Sequence, residues 1–264
     1  MVNLSVKTQA RIRLNGRTSG AFFWLFLQLI LSVGLGTAAY YVYAAFRRTG
    51  ADILGVCAQC ALLLVSFWLV WALRQGRTAW HARLAAGGDP NWIQIVYWLR
   101  HARSLRSAAL DVVIAFRKRI CTLVLSAPAI TAAFAAWYGY RSRAASARCC
   151  IVVFCGAALC GTAALLFSAV LAQRYCMAQF LLARNPRLTV RETIRQSKAY
   201  MDGRCLSMLC FRLSFLPWFI TCTLILPAVY VMPYYSQCCA CRMERILSAS
   251  AAAQRRSECT QARK

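Results

Sequence analysis

A chain of 264 residues with 60% hydrophobic side chains and only 15% charged ones is too apolar for a soluble domain, which carries about 25% charged residues. Its 32 Lys plus Arg against 7 Asp plus Glu, a net +25, would suggest nucleic acid in a soluble protein. Here the basic residues flank continuous apolar runs of about 20 residues, so membrane topology and anionic lipid account for them, and a transmembrane barrel of short alternating strands is excluded.

The expected fold is all-α, a polytopic transmembrane helical bundle of about six spans with interfacial amphipathic helices. The first element is a short basic helix, "KTQARIRL", ended by Asn15-Gly16-Arg17. The first span follows, from Ala21 to about Phe46. That run is too long for the h-region of a signal peptide, so it reads as a retained span. The second span covers about Asp52 to Leu73. In the polar region from Arg74 to Arg119, Trp92, Ile95, Val96 and Leu99 share one helical face and Arg100, Arg103 and Arg106 follow. This pattern predicts an amphipathic helix, either at the interface or packed on the protein.

The third span is Ile120 to Tyr140 and the fourth about Cys149 to Leu171. Gly156, Ala157, Cys160, Gly161 and Ala164 in the fourth permit close helix approach. Asn185-Pro186 marks a turn, and Thr189-Val-Arg-Glu192 reads as a capping box. The helix it opens carries Val190, Ile194 and Met201 on one side, with Arg191, Arg195 and Lys198 beyond that stripe. Gly203 sits where a helix C-terminus needs positive φ.

From Leu206 to Tyr235 the apolar sequence contains Pro217, Pro227 and Pro233. It forms either one kinked span or a hairpin that breaks near Leu224 to Pro227. Charge favours the hairpin. Six spans with both termini inside put 26 basic residues on the cytoplasmic side against 5 outside, whereas five spans give 20 against 11. Residues 1–247 then form one integral-membrane domain, and 248–264 a basic, disordered cytoplasmic tail.

One junction occurs twice. Ala10–Arg17 aligns on Ser197–Arg204, with Asn15-Gly16-Arg17 on Asp202-Gly203-Arg204. In both, a short helix is stopped by Gly, and Arg marks the boundary before an apolar helix begins. Under six spans both copies enter from the same side, as a parallel repeat would.

These blocks carry a resemblance. "FLLARNPRLTVRETIRQSKAYMDGR", then "LSFLPWF" and "MPYY", together with the opening "KTQARIRLNGR", resemble the bacterial integral-membrane family catalogued as domain of unknown function 975. Ala51 to Ala172 matches it in hydropathy alone. The chain departs in having "LPWF" where a Gly commonly precedes the Trp. The resemblance implies a multi-pass protein of a bacterial plasma membrane and implies no activity.

All seven acids, Asp52, Asp89, Asp111, Glu192, Asp202, Glu244 and Glu258, fall outside the span interiors, so no intramembrane carboxylate marks a proton or cation path. No phosphate-binding Gly loop, His–Glu metal motif or nucleophile elbow is present. The expectation is a protein that is not an enzyme and uses no cofactor or metal. The 15 cysteines lie mostly in or beside apolar runs, where a thiol behaves as a small hydrophobe. Cys57-x-x-Cys60 falls within a span and lacks a redox-fold context, and Cys238, Cys239 and Cys241 cluster near a membrane boundary, with His81 and His101 distant in sequence.

Arg212 is the exception to the apolar pattern. It can snorkel back to the interface or, if it faces the bundle interior, contact an anion or lipid phosphate with Gln28 or Gln173 as polar neighbours. Arg191, Arg195, Lys198, Arg204 and Arg212 are therefore the candidate contacts for membrane lipids with anionic headgroups or for a membrane-protein partner. Two functions follow: a scaffold or envelope-associated factor that binds lipid or a partner, or a small permease with its anion contact at Arg212.

Overall fold

Long apolar runs separated by few helix breakers fold into long helices. The computed structural model describes residues 2–50, 52–90, 98, 101–142, 146–222 and 225–261. Among them, regular structure is helical throughout. In chain order it comprises α1 (Val2–Leu14), α2 (Thr18–Arg48), α3 (Asp52–Ala86), α4 (His101–Arg141), α5 (Ala147–Ala172), α6 (Ala178–Arg184), α7 (Val190–Met201), α8 (Cys205–Leu213), α9 (Leu216–Thr221) and α10 (Ile225–Gln261). Trp92, Ile95, Val96, Leu99 and Arg100 of the expected amphipathic helix lie outside the described residues.

Among the described residues, four helices are long and apolar enough to cross a membrane: Thr18–Arg48, Asp52–Ala86, Ser104–Arg141 and the run Ala147–Arg184. At most 11% of each one's most apolar window is buried within the protein, which suits a lipid solvent. The chain is thus a multi-pass helical membrane protein. α2 packs along α3 and α4 along α5 as two antiparallel hairpins. A Cβ on Gly55 would meet Phe46 Cβ at 2.7 Å, and one on Gly161 would meet Ala129 Cβ at 3.5 Å. Of the small residues in α5, Ala157 is buried and Gly161 faces α4, while Gly156 and Cys160 are exposed.

The buried side chains gather at one end of these hairpins in a helical head. α3 does not stop at Leu73 with its apolar run but continues to Ala86, because no stop occurs before Gly87, whose φ is 90°. This extension packs with α1, α6, α7, α8 and residues 234–247 of α10 around Ala82, Met177, Phe180, Met201, Phe211 and Phe215. Burying each Phe contributes about 2–3 kcal/mol. α1 is strapped to α10 by Arg245, which donates to Ser5 Oγ at 2.8 Å and Gln9 Oε1 at 3.2 Å.

α7 begins at the expected capping box: Thr189 Oγ1 accepts from Glu192 N at 3.3 Å, and Glu192 Oε2 accepts from Thr189 N at 3.1 Å. The Thr189 hydroxyl, which donates to Glu192 Oε2 at 2.8 Å, and then the Thr189 N–H hold the exposed Glu192 carboxyl below the usual carboxylate range. Ile194 and Met201, with Thr193 and Ser197 beside them, are buried in the head, so the inner face of α7 packs on protein.

The last apolar stretch folds back on itself. In a continuous helix, Phe219 and Tyr235 would stand about 24 Å apart; here their ring centroids are 5.1 Å apart. Cys205–Thr221 is a shorter apolar element than the four long ones. Beyond Pro233, α10 meets no further Pro or Gly, and its Ala-rich end stays helical to Gln261, through most of the segment assigned to a disordered tail.

The repeated junction is repeated in geometry. Gly16 and Gly203 have φ of 76° and 66°, and Arg17 N and Arg204 N donate to Leu14 O and Met201 O at 2.9 and 3.0 Å. Arg17 O and Arg204 O then accept from Ala21 N and Met208 N. Burial follows the same spacing: Val6 with Thr193, Ala10 with Ser197, Leu14 with Met201, Ala21 with Met208 and Trp24 with Phe211 are all buried. No neighbour lies within 4 Å of a Cβ added at either glycine, so substitution there acts through backbone strain alone. Gly203→Ala and Gly16→Ala are each expected to destabilise by on the order of 1–2 kcal/mol, and Gly203→Asn by less. Thermal unfolding in detergent measures this; an unchanged midpoint for Gly203→Ala would contradict the hinge geometry.

Candidate functional site

Where α3 leaves its apolar run, Arg74, Arg77 and His81 follow at helical spacing and share a face. They line a cavity of about 310 Å³ between the head and the hairpins. α4 contributes Asp111 and Lys118, two turns apart on one face, α6 contributes Gln179, α8 contributes Arg212, and α10 contributes Tyr235 and Cys239. Four cations thus surround one carboxylate.

That carboxylate is already engaged. Asp111 accepts from Trp71 Nε1 and Gln179 Nε2, and Arg74 lies 3.5 Å away. With its side chain 15% exposed, it ties α3, α4 and α6 together. Gln75 Nε2 adds a bond to Gln179 O at 3.1 Å. The other three cations make no ion pair among the described residues. Lys118 and Arg212 lie near enough to repel each other, as do Arg74 and Arg77. Arg212 contacts the Cys239 thiol, and its Nε is buried without a partner.

Arg212 therefore turns toward the bundle interior and lines the cavity. The neighbours named for it do not line the cavity: Gln173 Nε2 donates to Ala169 O within α5 and its 3-10 extension, and Gln28 lies on α2. Their place is taken by Gln75 and Gln179. Lys198 lies over the Tyr175 ring, 5.5 Å from its centroid, and borders a second crevice of about 180 Å³ with Cys121, Ser168 and Leu171. The two spaces share Lys118 and Tyr175. Arg191, Arg195 and Arg204 are exposed and line neither space. The residues that sequence reasoning missed, Arg74, Arg77, Lys118 and Asp111, sit just beyond span ends at one-face spacing, and that spacing was the available signal.

Cys238, Cys239 and Cys241 do not converge. Cys238 neighbours Tyr234 and Lys7, Cys239 faces Arg212, and Cys241 bonds Gln237. Among the described residues no group of three His, Cys, Asp or Glu is placed to hold a metal. Burial pushes the Cys238 thiol up to about 12, which leaves about one part in 10⁴ as thiolate at pH 8. Native labelling at pH 8 is expected to spare Cys238 until the head unfolds. Prompt modification of the folded protein would contradict its burial.

No curated protein and no solved structure matches the chain. The family described as Protein of unknown function (DUF975) does, over residues 1–249, and with nearly the whole of the hairpins, the head and the cavity inside that match, the chain belongs to this family.

Proposed function

We propose that the protein is a non-enzymatic, six-span protein of a bacterial plasma membrane that binds an anionic lipid headgroup in the cation-lined cavity. In this topology the hairpin of α8, α9 and the start of α10 supplies the last two spans. The head and both termini are cytoplasmic, as the excess of basic residues on that side favours. The observation that carries the reading is the convergence of Arg77, Lys118 and Arg212 on one cavity at the level where α3, α4 and α8 pass from head to apolar span, with no ion pair among the described residues and with Lys118 and Arg212 near enough to repel each other. A phosphate there would relieve the repulsion through charge-assisted hydrogen bonds. Exposed Arg191, Arg195 and Arg204, with Lys198 at the neighbouring crevice, add longer-range attraction of about 1 kcal/mol each near an anionic surface. In this role the protein acts as a scaffold or envelope-associated factor held to lipid or to a membrane partner.

In nanodiscs containing anionic phospholipid, the thermal unfolding midpoint should lie several degrees above that in purely zwitterionic nanodiscs. Equal midpoints would contradict the proposal. The repeated hinge favours a second reading, a small permease in which an aqueous path reaches Arg212. An impermeant thiol reagent separates the two on a Cys-depleted protein carrying single cysteines at positions 212, 225 and in the tail. Labelling at 212 in intact cells supports the permease. Protection at 212, with label at 225 and none on the tail, supports the six-span lipid-binding protein.

A further inference from the structure

Three residues lining the cavity each keep one buried polar atom without a partner: His81 Nε2, Gln179 Oε1 and Arg212 Nε. Their chemistries differ. Arg212 Nε–H is a donor. His81 is 3% exposed, and its Nδ1 lies 2.8 Å from Gln237 Oε1. An amide oxygen only accepts, so Nδ1 carries the proton and Nε2 offers a lone pair. Gln179 donates its amide nitrogen to Asp111, which leaves Oε1 as an acceptor too. The cavity therefore holds cationic donors for an anion and, beside them, two acceptors.

A phosphodiester oxygen cannot answer those acceptors, because it has no proton to give. A buried acceptor left unmatched is costly, so a fitting ligand brings donors next to its phosphate. Donors come as ammonium or as hydroxyl. An ammonium would enter a field of four cations whose single carboxylate is already bonded by Trp71, Gln179 and Arg74. A hydroxyl carries no such penalty.

We infer that the cavity recognises a phosphate ester whose headgroup carries free hydroxyls, of the glycerol-phosphate or polyol-phosphate class, with phosphate toward Arg77, Lys118 and Arg212 and hydroxyls toward His81 and Gln179. This rests on the anionic-headgroup reading and sharpens it from charge to chemistry. When the ester belongs to a lipid, its acyl part leaves through the adjoining crevice, past Lys118 to Cys121 and Leu171.

The test uses full-length protein in nonionic detergent, with the unfolding midpoint followed against ligand concentration. The ligands are short-chain phospholipids bearing phosphoglycerol, unsubstituted phosphate or phosphocholine, with glycerol phosphate and inorganic phosphate as soluble probes. The phosphoglycerol lipid should bind about tenfold tighter than the lipid ending in bare phosphate, the equivalent of one to two added hydrogen bonds. His81→Phe and Gln179→Met should each reduce that preference and leave binding of the bare phosphate lipid in place. If either variant fails to fold, the wild-type ligand series decides alone.

Equal affinity for the phosphoglycerol and bare phosphate lipids would overturn the hydroxyl inference and leave the anionic-headgroup reading standing. No response to any anionic lipid or soluble phosphate would overturn both. A response to glycerol phosphate that equals the lipid's and exceeds that to inorganic phosphate would support the recognition chemistry and assign it to a soluble ester.

Discussion

Replacing Asp111 with alanine is expected to destabilise the protein by about 3 kcal/mol or more, the largest loss for any single polar substitution in the head. The side chain accepts from Trp71 on α3 and Gln179 on α6 while standing on α4, so its removal leaves two part-buried donors without their acceptor. Each stranded donor costs about 1–3 kcal/mol. Arg74 adds little to the total, because its side chain is 55% exposed and water replaces the lost partner. Asp111→Asn keeps the volume and one acceptor oxygen and should lose about half as much. Chemical unfolding in detergent, followed through the change in tryptophan fluorescence as Trp71 is released, measures both. A loss under about 1 kcal/mol for the alanine variant would mean that Asp111 does not join these helices.

Arg212→Leu is expected to move stability and ligand response in opposite directions. In detergent without anionic lipid, the variant should be more stable by about 1–2 kcal/mol, because a half-buried cation that repels Lys118 gives way to an apolar side chain of suitable length. In anionic nanodiscs it should lose the stabilisation that lipid gives to the wild type. A purely structural arginine would behave otherwise: its replacement would lower stability in both settings and leave the lipid response in proportion. Arg212→Lys keeps the charge and loses the planar donors, so it should retain a reduced lipid response.

Where sequence spoke clearly, it did so through periodicity and through residues with narrow conformational roles. The four long spans follow from uninterrupted apolar runs. The capping box at Thr189 and the positive φ of Gly16 and Gly203 follow from side chains that suit few other places. Arg212 stood out because lipid makes an intraspan charge costly. The remainder of the cavity was hidden for a different reason. Asp111 looks like one loop acid among seven until α3 and α6 bring Trp71 and Gln179 to it, and no local pattern encodes that meeting. The length of α3 was equally obscure, since a helix that turns from apolar to polar at Arg74 loses its hydrophobic signal while keeping its backbone hydrogen bonds. The basic stripe of α7 was plain in sequence, yet its inner face packs on the head and only Lys198 approaches the cavity's neighbouring crevice.

The most direct test of the lipid-binding account is native mass spectrometry of protein released from anionic nanodiscs, comparing wild type with two charge-neutralised variants. One carries Arg77→Gln, Lys118→Gln and Arg212→Gln in the cavity, and the other carries Arg191→Gln, Arg195→Gln and Lys198→Gln on α7. The account predicts that wild type and the α7 variant retain a bound anionic phospholipid and that the cavity variant, folded, retains none. Loss of lipid from the α7 variant together with its retention by the cavity variant would place binding on the outer basic face and contradict the account.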